Sequence, residues 1–238
     1  MFNDANMEVV RDIPATRAAV AAARRAGRTI GLVPTMGALH AGHLSLVEVA
    51  RRDGAFVVVS IFVNPTQFVA GEDFDRYPRD ERRDLDACRA AGVDAVFAPP
   101  TDVMYRPDAT TAVSVGGLAE GLCGAFRPGH FTGVATVVAK LLNVVQPDRA
   151  YFGEKDYQQL QVIRRMVRDL DLPVTIVGCP LVREPDGLAM SSRNRYMSAA
   201  ERAQALCLHR ALQTARTLIG QGERDAARVV AAMHEVIR

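Results

Sequence analysis

Residues 29–52 read TIGLVPTMGALHAGHLSLVEVARR. TIGLVP, residues 29–34, is a short apolar run of the kind that forms a buried strand. Small residues come next, and HLSLVEVARR from His43 carries apolar positions at helical spacing. A buried strand that turns sharply into a helix is the opening half of a parallel βαβ unit. The flanking sequence extends that unit in both directions.

Upstream, DIPATRAAVAAARRA (12–26) has helical spacing, with Pro14 in the first turn and Gly27 as a stop. Downstream, AFVVVSIFV (55–63) is almost continuously apolar and β-branched, as expected of a strand covered on both faces. RDERRDLDACRAA (79–91) is a charged helix ended by Gly92, and DAVFAPP (94–100) is a strand. TAVSV (111–115) reads as a further short strand, and the glycine-bearing stretch 116–133 as a loop. FTGVATVVAKLLNVV (131–145) is an apolar helix. RAYFG (149–153), a helix near 156–170 and PVTIVG (173–178) complete the alternation. The expected fold is α/β: a Rossmann-like open parallel sheet with helices on both faces. After about residue 180 the strands stop, and two Ala-rich helices are expected at 199–219 and 223–237. The chain therefore divides into 1–180 and a small, mainly helical domain at 181–238.

Composition narrows the function classes. A chain of 238 residues can bury about 70–75% of its unfolded surface, so it needs neither disulfides nor a structural metal to fold. With 49% hydrophobic and 24% charged residues it is ordinary globular sequence, not disordered. A net charge of +2 gives no polyanion-binding surface, so no nucleic-acid partner is expected. Cys88, Cys123, Cys179 and Cys207 form no C-x-x-C pair. No apolar run approaches the roughly 18 residues of a membrane span, and MFNDANMEVVRDIP has no signal core. The expected location is the cytoplasm.

Neither standard phosphate loop occurs. There is no G-x-x-x-x-G-K-[ST], and the glycines at 116, 117, 121 and 124 do not fit G-x-G-x-x-G. The first strand of the βαβ unit runs instead into PTMGALHAGH, 34–43. Ligands of open parallel sheets bind beyond the carboxyl ends of the strands, and a helix N-terminus there offers unpaired N–H groups to phosphate. Gly37 and Gly42 permit close approach to the backbone. His40 and His43, three apart, face the same way on one turn and can donate hydrogen bonds or carry protons. The plain alternative makes them a helix cap and a core contact. A zinc site would need a third ligand, and His130, His209 and His234 stand in no supporting motif.

Four further segments carry polar chemistry. FVNPTQF (62–68) brings two amides, Asn64 and Gln67, to the end of the strongest strand, suited to a ligand with a carboxylate and hydroxyls; a strand-ending turn is the alternative. In YFGEKDYQQL (151–160), Lys155 is a point charge for phosphate. Asp156 can cap the next helix, hold Lys155 or hold a ribose, and Gln159 lies one turn on. REPDGLAMSSRNRYMS (183–198) sets Ser191, Ser192 and Arg193 in a row, a hydroxyl and guanidinium set that fits phosphate, or else a polar linker capped at Ser198. FRPGHFTG (126–133) places Arg127 in a loop that can close over a site, or in a plain surface turn.

Together PTMGALHAGH, VNPTQF, FRPGHFTGV, FGEKDYQQL and LAMSSRN resemble the pantothenate synthetases, the pantoate–β-alanine ligases, in the family's order and over nearly the whole chain from about residue 10. H-x-G-H is also similar to the signature of the wider nucleotidyltransferase superfamily, which includes the class I tRNA synthetases. The resemblance implies ATP-dependent condensation of (R)-pantoate with β-alanine through a pantoyl-adenylate, with release of pyrophosphate and then AMP. It implies that Met36, Gly37, Ala38, Leu39, His40, Ala41, Gly42 and His43 line the ATP site, with His43 a proton donor and His40 a phosphate contact. Lys155, Arg193, Ser191 and Ser192 would hold the phosphates, with His43, His40, Lys155 and Arg193 the catalytic set. Gly153, Glu154 and Asp156 would lie along the nucleotide, with Met190 beside it and Val182 on the adenine by main-chain contacts. Asn64, Gln67 and Gln159 would bind pantoate, Gln67 β-alanine as well, and Arg127 would sit on the mobile loop.

The first 180 residues would then form the nucleotide- and pantoate-binding domain, and 181–238 a lid. Mg2+ is expected with ATP, with no protein ligand named for it, and a homodimer is expected. The family's C-terminal domain runs on into short strands, so the lid is expected to be shortened. Two rivals stay open: a nucleotidylyltransferase, which leaves the nucleotide on its product, and a non-catalytic nucleotide-binding paralogue. A zinc hydrolase built on His40 and His43 is the remaining option.

Overall fold

The computed structural model describes residues 7–238. The opening residues 1–6 of the polar N-terminal stretch lie outside the described residues. The elements are β1 (Glu8–Val10), α1 (Ile13–Arg25), β2 (Ile30–Thr35), α2 (Ala41–Arg52), β3 (Phe56–Ile61), α3 (Glu81–Ala90) and β4 (Ala95–Phe97). Then come the one-turn helices α4 (Thr101–Met104) and α5 (Cys123–Phe126), followed by α6 (His130–Val145), β5 (Arg149–Gly153), α7 (Tyr157–Asp169), β6 (Thr175–Cys179), α8 (Ala199–Gly220) and α9 (Ala226–Ile237). The chain forms two compact units, Met1–Pro180 and Leu181–Arg238.

The first unit is built on one six-stranded sheet of order β1-β4-β3-β2-β5-β6, with every pair parallel. β2 and β3 pair along their full length, Ile30 opposite Phe56 to Thr35 opposite Ile61. Successive strand residues feed opposite faces. Leu32, Val58, Phe97 and Phe152 enter one core with Val20 of α1, Val138 of α6 and Ile163 of α7. Val33, Val57, Val59, Val96 and Tyr151 enter the other with Leu46 and Val47 of α2 and Cys88 of α3. Helices thus cover both faces, as the continuous apolar strands require.

β2 is the pivot. The chain leaves it in one direction through β3 to β4 and returns to its other side with β5 and β6. The loops that follow β2 and β5 therefore depart to opposite faces from neighbouring strand ends. That reversal is where open sheets leave a crevice. It gathers residues 36–40 and 154–156, with residues 62–68 at the end of the adjacent β3.

The structure departs from the sequence reading in three places. Glu8–Val10 is a parallel edge strand beside β4, too short and too polar at its start to read as one. Residues 111–115 are not a strand. The Val113 N–H donates instead to Thr136 Oγ1 of α6 at 2.9 Å, and Val113 and Val115 pack on the core from a loop. Within the loop at 116–133 lie α5 and the start of α6.

In the second unit, Ser198 caps α8 with a Ser–Glu201 capping box, and Asp225 caps α9 through Ala227 and Arg228. Ala211, Ala215 and Val229 are buried between these helices. Ahead of them, residues 183 and 189 form an antiparallel bridge. Arg202 of α8 ties that segment down through Glu184 and Asp186.

Candidate active site

The junction after β2 is a tightly held turn. Gly37 and Ala38 both have positive φ, 77° and 51°. Thr35 Oγ1 accepts the Gly37 N–H at 3.1 Å. Asp84, 3% exposed on the inner face of α3, accepts Ala38 N–H at 2.8 Å and Leu39 N–H at 2.7 Å through its two carboxylate oxygens. A Cβ at Gly37 would lie 2.8 Å from the Asp84 carboxylate, so glycine is required both by φ and by space.

His40 is the N-cap of α2. Its Nδ1 accepts the Gly42 N–H at 3.1 Å, and the Nδ1 of His43 faces the His40 N–H at 3.4 Å, so the two imidazoles form a reciprocal capping box. Their ring centroids are 4.0 Å apart. The plain cap reading of His40 is therefore correct, and it creates a chemical consequence. An Nδ1 that accepts must carry a lone pair, so each neutral ring bears its proton on Nε2. Both histidines present an Nε2–H away from the backbone.

One expectation is corrected here. The helix start does not offer a row of unpaired N–H groups, because those of Gly37, Ala38, Leu39, His40 and Gly42 already have protein acceptors. The charge state of His43 also follows from its surroundings. Burial pushes its pKa down to about 3, helped by the charges of His40 and Lys155. A ring with that pKa is neutral at physiological pH and keeps one ring N–H to donate. Among the described residues no third His, Cys, Asp or Glu joins the pair as a metal-binding group.

Lys155 lies in the 3-10 turn Glu154–Asp156, directly after β5, close enough to His43 to act on its charge. Asp156 does not cap α7 through its side chain; it pairs with Lys155 at 3.4 Å. Gly153 ends β5, Glu154 is exposed, and Gln159 is half-buried in the first turn of α7.

The amides after β3 divide into two roles. Asn64 is 1% exposed. Its Nδ2 donates to Gln67 Oε1 at 3.1 Å and Gly133 O at 3.2 Å, while Oδ1 accepts from Thr66 Oγ1 at 2.9 Å and Tyr105 OH at 2.8 Å. Two donors and two lone pairs are thus all engaged. In this arrangement the Asn64 side chain is bonded to Gln67 and to the walls around it. Gln67 gives one hydrogen of Nε2 to Met36 Sδ at 3.1 Å, a weak acceptor that an oxygen ligand would displace.

Arg127 is likewise not a free cation on an open loop. It makes a bidentate pair with Glu72, Nε–Oε1 2.5 Å and Nη2–Oε2 2.7 Å. That pairing, more than the opposing effect of burial, holds the Glu72 carboxyl below the usual range.

The remaining candidates lie in the second unit. Val182 O accepts the Met190 N–H at 3.1 Å. Ser191 caps the 3-10 turn Ser192–Tyr196 by accepting the Arg193 N–H at 3.2 Å, and Ser192 is buried. Asn194 fastens this segment to Glu184 and Ala189 O.

Sequence reasoning missed Asp84, Tyr105 and Glu72. Asp84 left a trace, since it is a carboxylate one turn before Cys88 on the buried stripe of α3. The others depend on loops meeting across the fold.

These features define the class: an open parallel α/β protein whose strand-order reversal carries two hydrogen-bond-donating imidazoles and a lysine. Comparison with known proteins narrows it. The family model described as pantoate-beta-alanine ligase matches residues 8–238. A pantothenate synthetase of Moorella thermoacetica is 60% identical over 231 residues, covering 97% of this chain and 82% of its own length. The crystal structure of pantothenate synthetase from Thermus thermophilus superposes with a TM-score of 0.93 at 54% identity, over 98% of this chain and 82% of that one. A pantoate-beta-alanine ligase from Francisella tularensis, solved with beta-gamma ATP and beta-alanine, gives 0.84 at 33% identity, over 97% and 86%. The chain belongs to the pantoate–β-alanine ligase family and is an ATP-dependent acid–amine ligase.

Proposed function

We propose that the residues gathered after β2, β3 and β5 divide the family's two-step reaction between them. In the first step the pantoate carboxylate attacks the α-phosphorus of ATP, and pyrophosphate leaves. In the second the β-alanine amine attacks the acyl carbon of the adenylate, loses a proton and expels AMP. A carboxylate is a poor electrophile because its leaving group would be oxide; adenylation cures that. The protein's task is positioning and stabilising charge on the phosphates, with no protein nucleophile required.

His40 and His43 donate Nε2–H bonds to phosphate oxygens, and Lys155 supplies the adjacent point charge. The observation that carries this reading is the pair of Nδ1 atoms held by backbone N–H groups, which fixes both tautomers. Met36 to His43, with Gly153, Glu154 and Asp156, line the nucleotide. Gln67 and Gln159 take pantoate, Asn64 orients Gln67, and Arg127 anchors the wall on which Gln67 stands. On family likeness alone, Ser191, Ser192 and Arg193 are phosphate donors, and Val182 and Met190 nucleotide contacts. Mg2+ would accompany ATP as its counter-ion and offset charge on the phosphates.

The setting we propose is the cytoplasm, a reading supported by four free cysteines. Assembly as a homodimer and the absence of a nucleic-acid partner complete the reading. The first rests on family likeness, the second on a net charge of only +2. A purified sample given ATP, pantoate and β-alanine is expected to release AMP and pyrophosphate in equal amounts with pantothenate. Release of neither, or a stable adenylylated end product, overturns the reading.

A further inference from the structure

His130 belongs to none of the groups assigned above, yet it is 7% exposed and makes two polar contacts. Its Nδ1 lies 2.7 Å from the main-chain oxygen of Gln67, and its Nε2 lies 3.0 Å from Arg127 Nη1. A carbonyl oxygen only accepts and a guanidinium only donates. One state of the ring satisfies both: neutral, with the proton on Nδ1 and the lone pair on Nε2. Protonation would set an Nε2–H against an Arg N–H and a positive charge beside another.

The surroundings are consistent with that state. Arg127 is itself held by Glu72 from the loop after β3 and approaches Cys123 Sγ of α5 at 4.0 Å. Burial lowers the His130 pKa from its ordinary value and the Arg127 charge adds to this. The Gln67 carbonyl, Glu72 and Asp156 of the turn before α7 act the other way, but the net shift is downward. The same stretch of α6 presses on the Gln67 turn, because a Cβ at Gly133 would lie 2.3 Å from Thr66 O and 2.7 Å from Gln67 N.

We infer that His130 is a positioning residue for the pantoate step: as a neutral Nδ1–H imidazole it ties the Glu72–Arg127 pair to the main chain of Gln67 and thereby holds the Gln67 amide at the substrate. The inference rests on the reading that Gln67 contacts pantoate. It makes pantoate binding acid-sensitive through a group that touches no substrate atom.

The experiment compares the KM for pantoate at about pH 8 and about pH 5.5, at saturating ATP and β-alanine, in the wild type, His130→Asn and Gln67→Ala. The Asn amide can donate to the Gln67 oxygen but cannot titrate. In the wild type the KM is expected to rise roughly tenfold per pH unit below the His130 pKa. In His130→Asn the ratio of the two KM values falls to that of the non-titrating background. Gln67→Ala raises the KM at least tenfold at both pH values.

The same steep acid dependence in wild type and His130→Asn overturns the role of His130 while leaving that of Gln67 intact; if both are flat, the ring has not titrated by about pH 5.5 and the imidazole spectra described below decide. No change in KM for Gln67→Ala overturns both. Should His130→Asn fail to fold, long-range ¹⁵N–¹H spectra of the wild-type imidazoles decide alone: an Nδ1–H ring is expected for His130, and an Nε2–H ring contradicts the inference.

Discussion

His43 sits at the centre of the proposed chemistry, and its environment sets what it can do. With a pKa pushed down to about 3, the ring stays neutral throughout the working range. On the proposed reading it stabilises phosphate charge as a dipole with a fixed tautomer. His43→Ala is expected to slow adenylation by about 10²–10³-fold, the usual effect of deleting one preorganised donor, and His43→Gln to recover part of it through its amide N–H. Rapid-quench measurement of AMP formation checks both. The same shift has a stability consequence. The unfolded ring titrates near 6.5 and the folded one near 3, so between those values the unfolded chain binds the extra proton. The contribution is whole above about pH 6.5 and is lost progressively as pH falls toward 3. Urea melts over that range are expected to show a shallower acid loss in His43→Gln than in the wild type.

Asp84 makes a second case at this scale. It spends a buried carboxylate on two backbone N–H groups of a turn that has positive φ at both Gly37 and Ala38. Asp84→Asn replaces one acceptor oxygen by a donor facing an N–H. A loss of about 1–3 kcal/mol is expected by denaturant melting, with a raised KM for ATP. An unchanged KM for ATP alongside the stability loss would separate the fold of this turn from its function.

Among the elements, the strands and long helices of the first unit follow directly from local pattern. AFVVVSIFV could be nothing but a covered strand, and α6 is apolar nearly all round because it is buried nearly all round. What local pattern could not give was anything decided by a partner. β1 is a strand because β4 offers it an edge. Residues 111–115 are β-branched yet form no strand, since Thr136 takes up the Val113 N–H. Gly133 shows the same dependence. In sequence it is a mild flaw in a helix, whereas in the fold it is the contact surface that admits the Asn64–Gln67 turn. Gly133→Ala is expected to cost about 1–3 kcal/mol in denaturant melting, as for overpacked sites, and to raise the KM for pantoate more than that for ATP.

At the scale of the whole molecule, the order of strands does what no single motif could. It brings the carboxyl ends of β2 and β5 side by side and sends their loops apart, so that Lys155 shares one electrostatic environment with His40 and His43, more than a hundred residues earlier in sequence. The five motif blocks were legible because residue types with phosphate and amide chemistry recur at strand ends. Their roles were only partly so: Asn64 and Arg127 carry the chemistry of ligand contacts, and in the structure their polar atoms also meet protein partners. Histidine, amide and guanidinium side chains bind a neighbour and a substrate with the same atoms, and only the three-dimensional partners tell the two apart.

The central claim is that the imidazole pair and Lys155 serve the making of an acyl-adenylate before any amine arrives. Pantoate-dependent exchange of labelled pyrophosphate into ATP, run without β-alanine, tests it most directly. Exchange that requires pantoate, needs no amine and falls with His43→Ala is expected. Exchange that is absent until β-alanine is added, or that proceeds without pantoate, would contradict it.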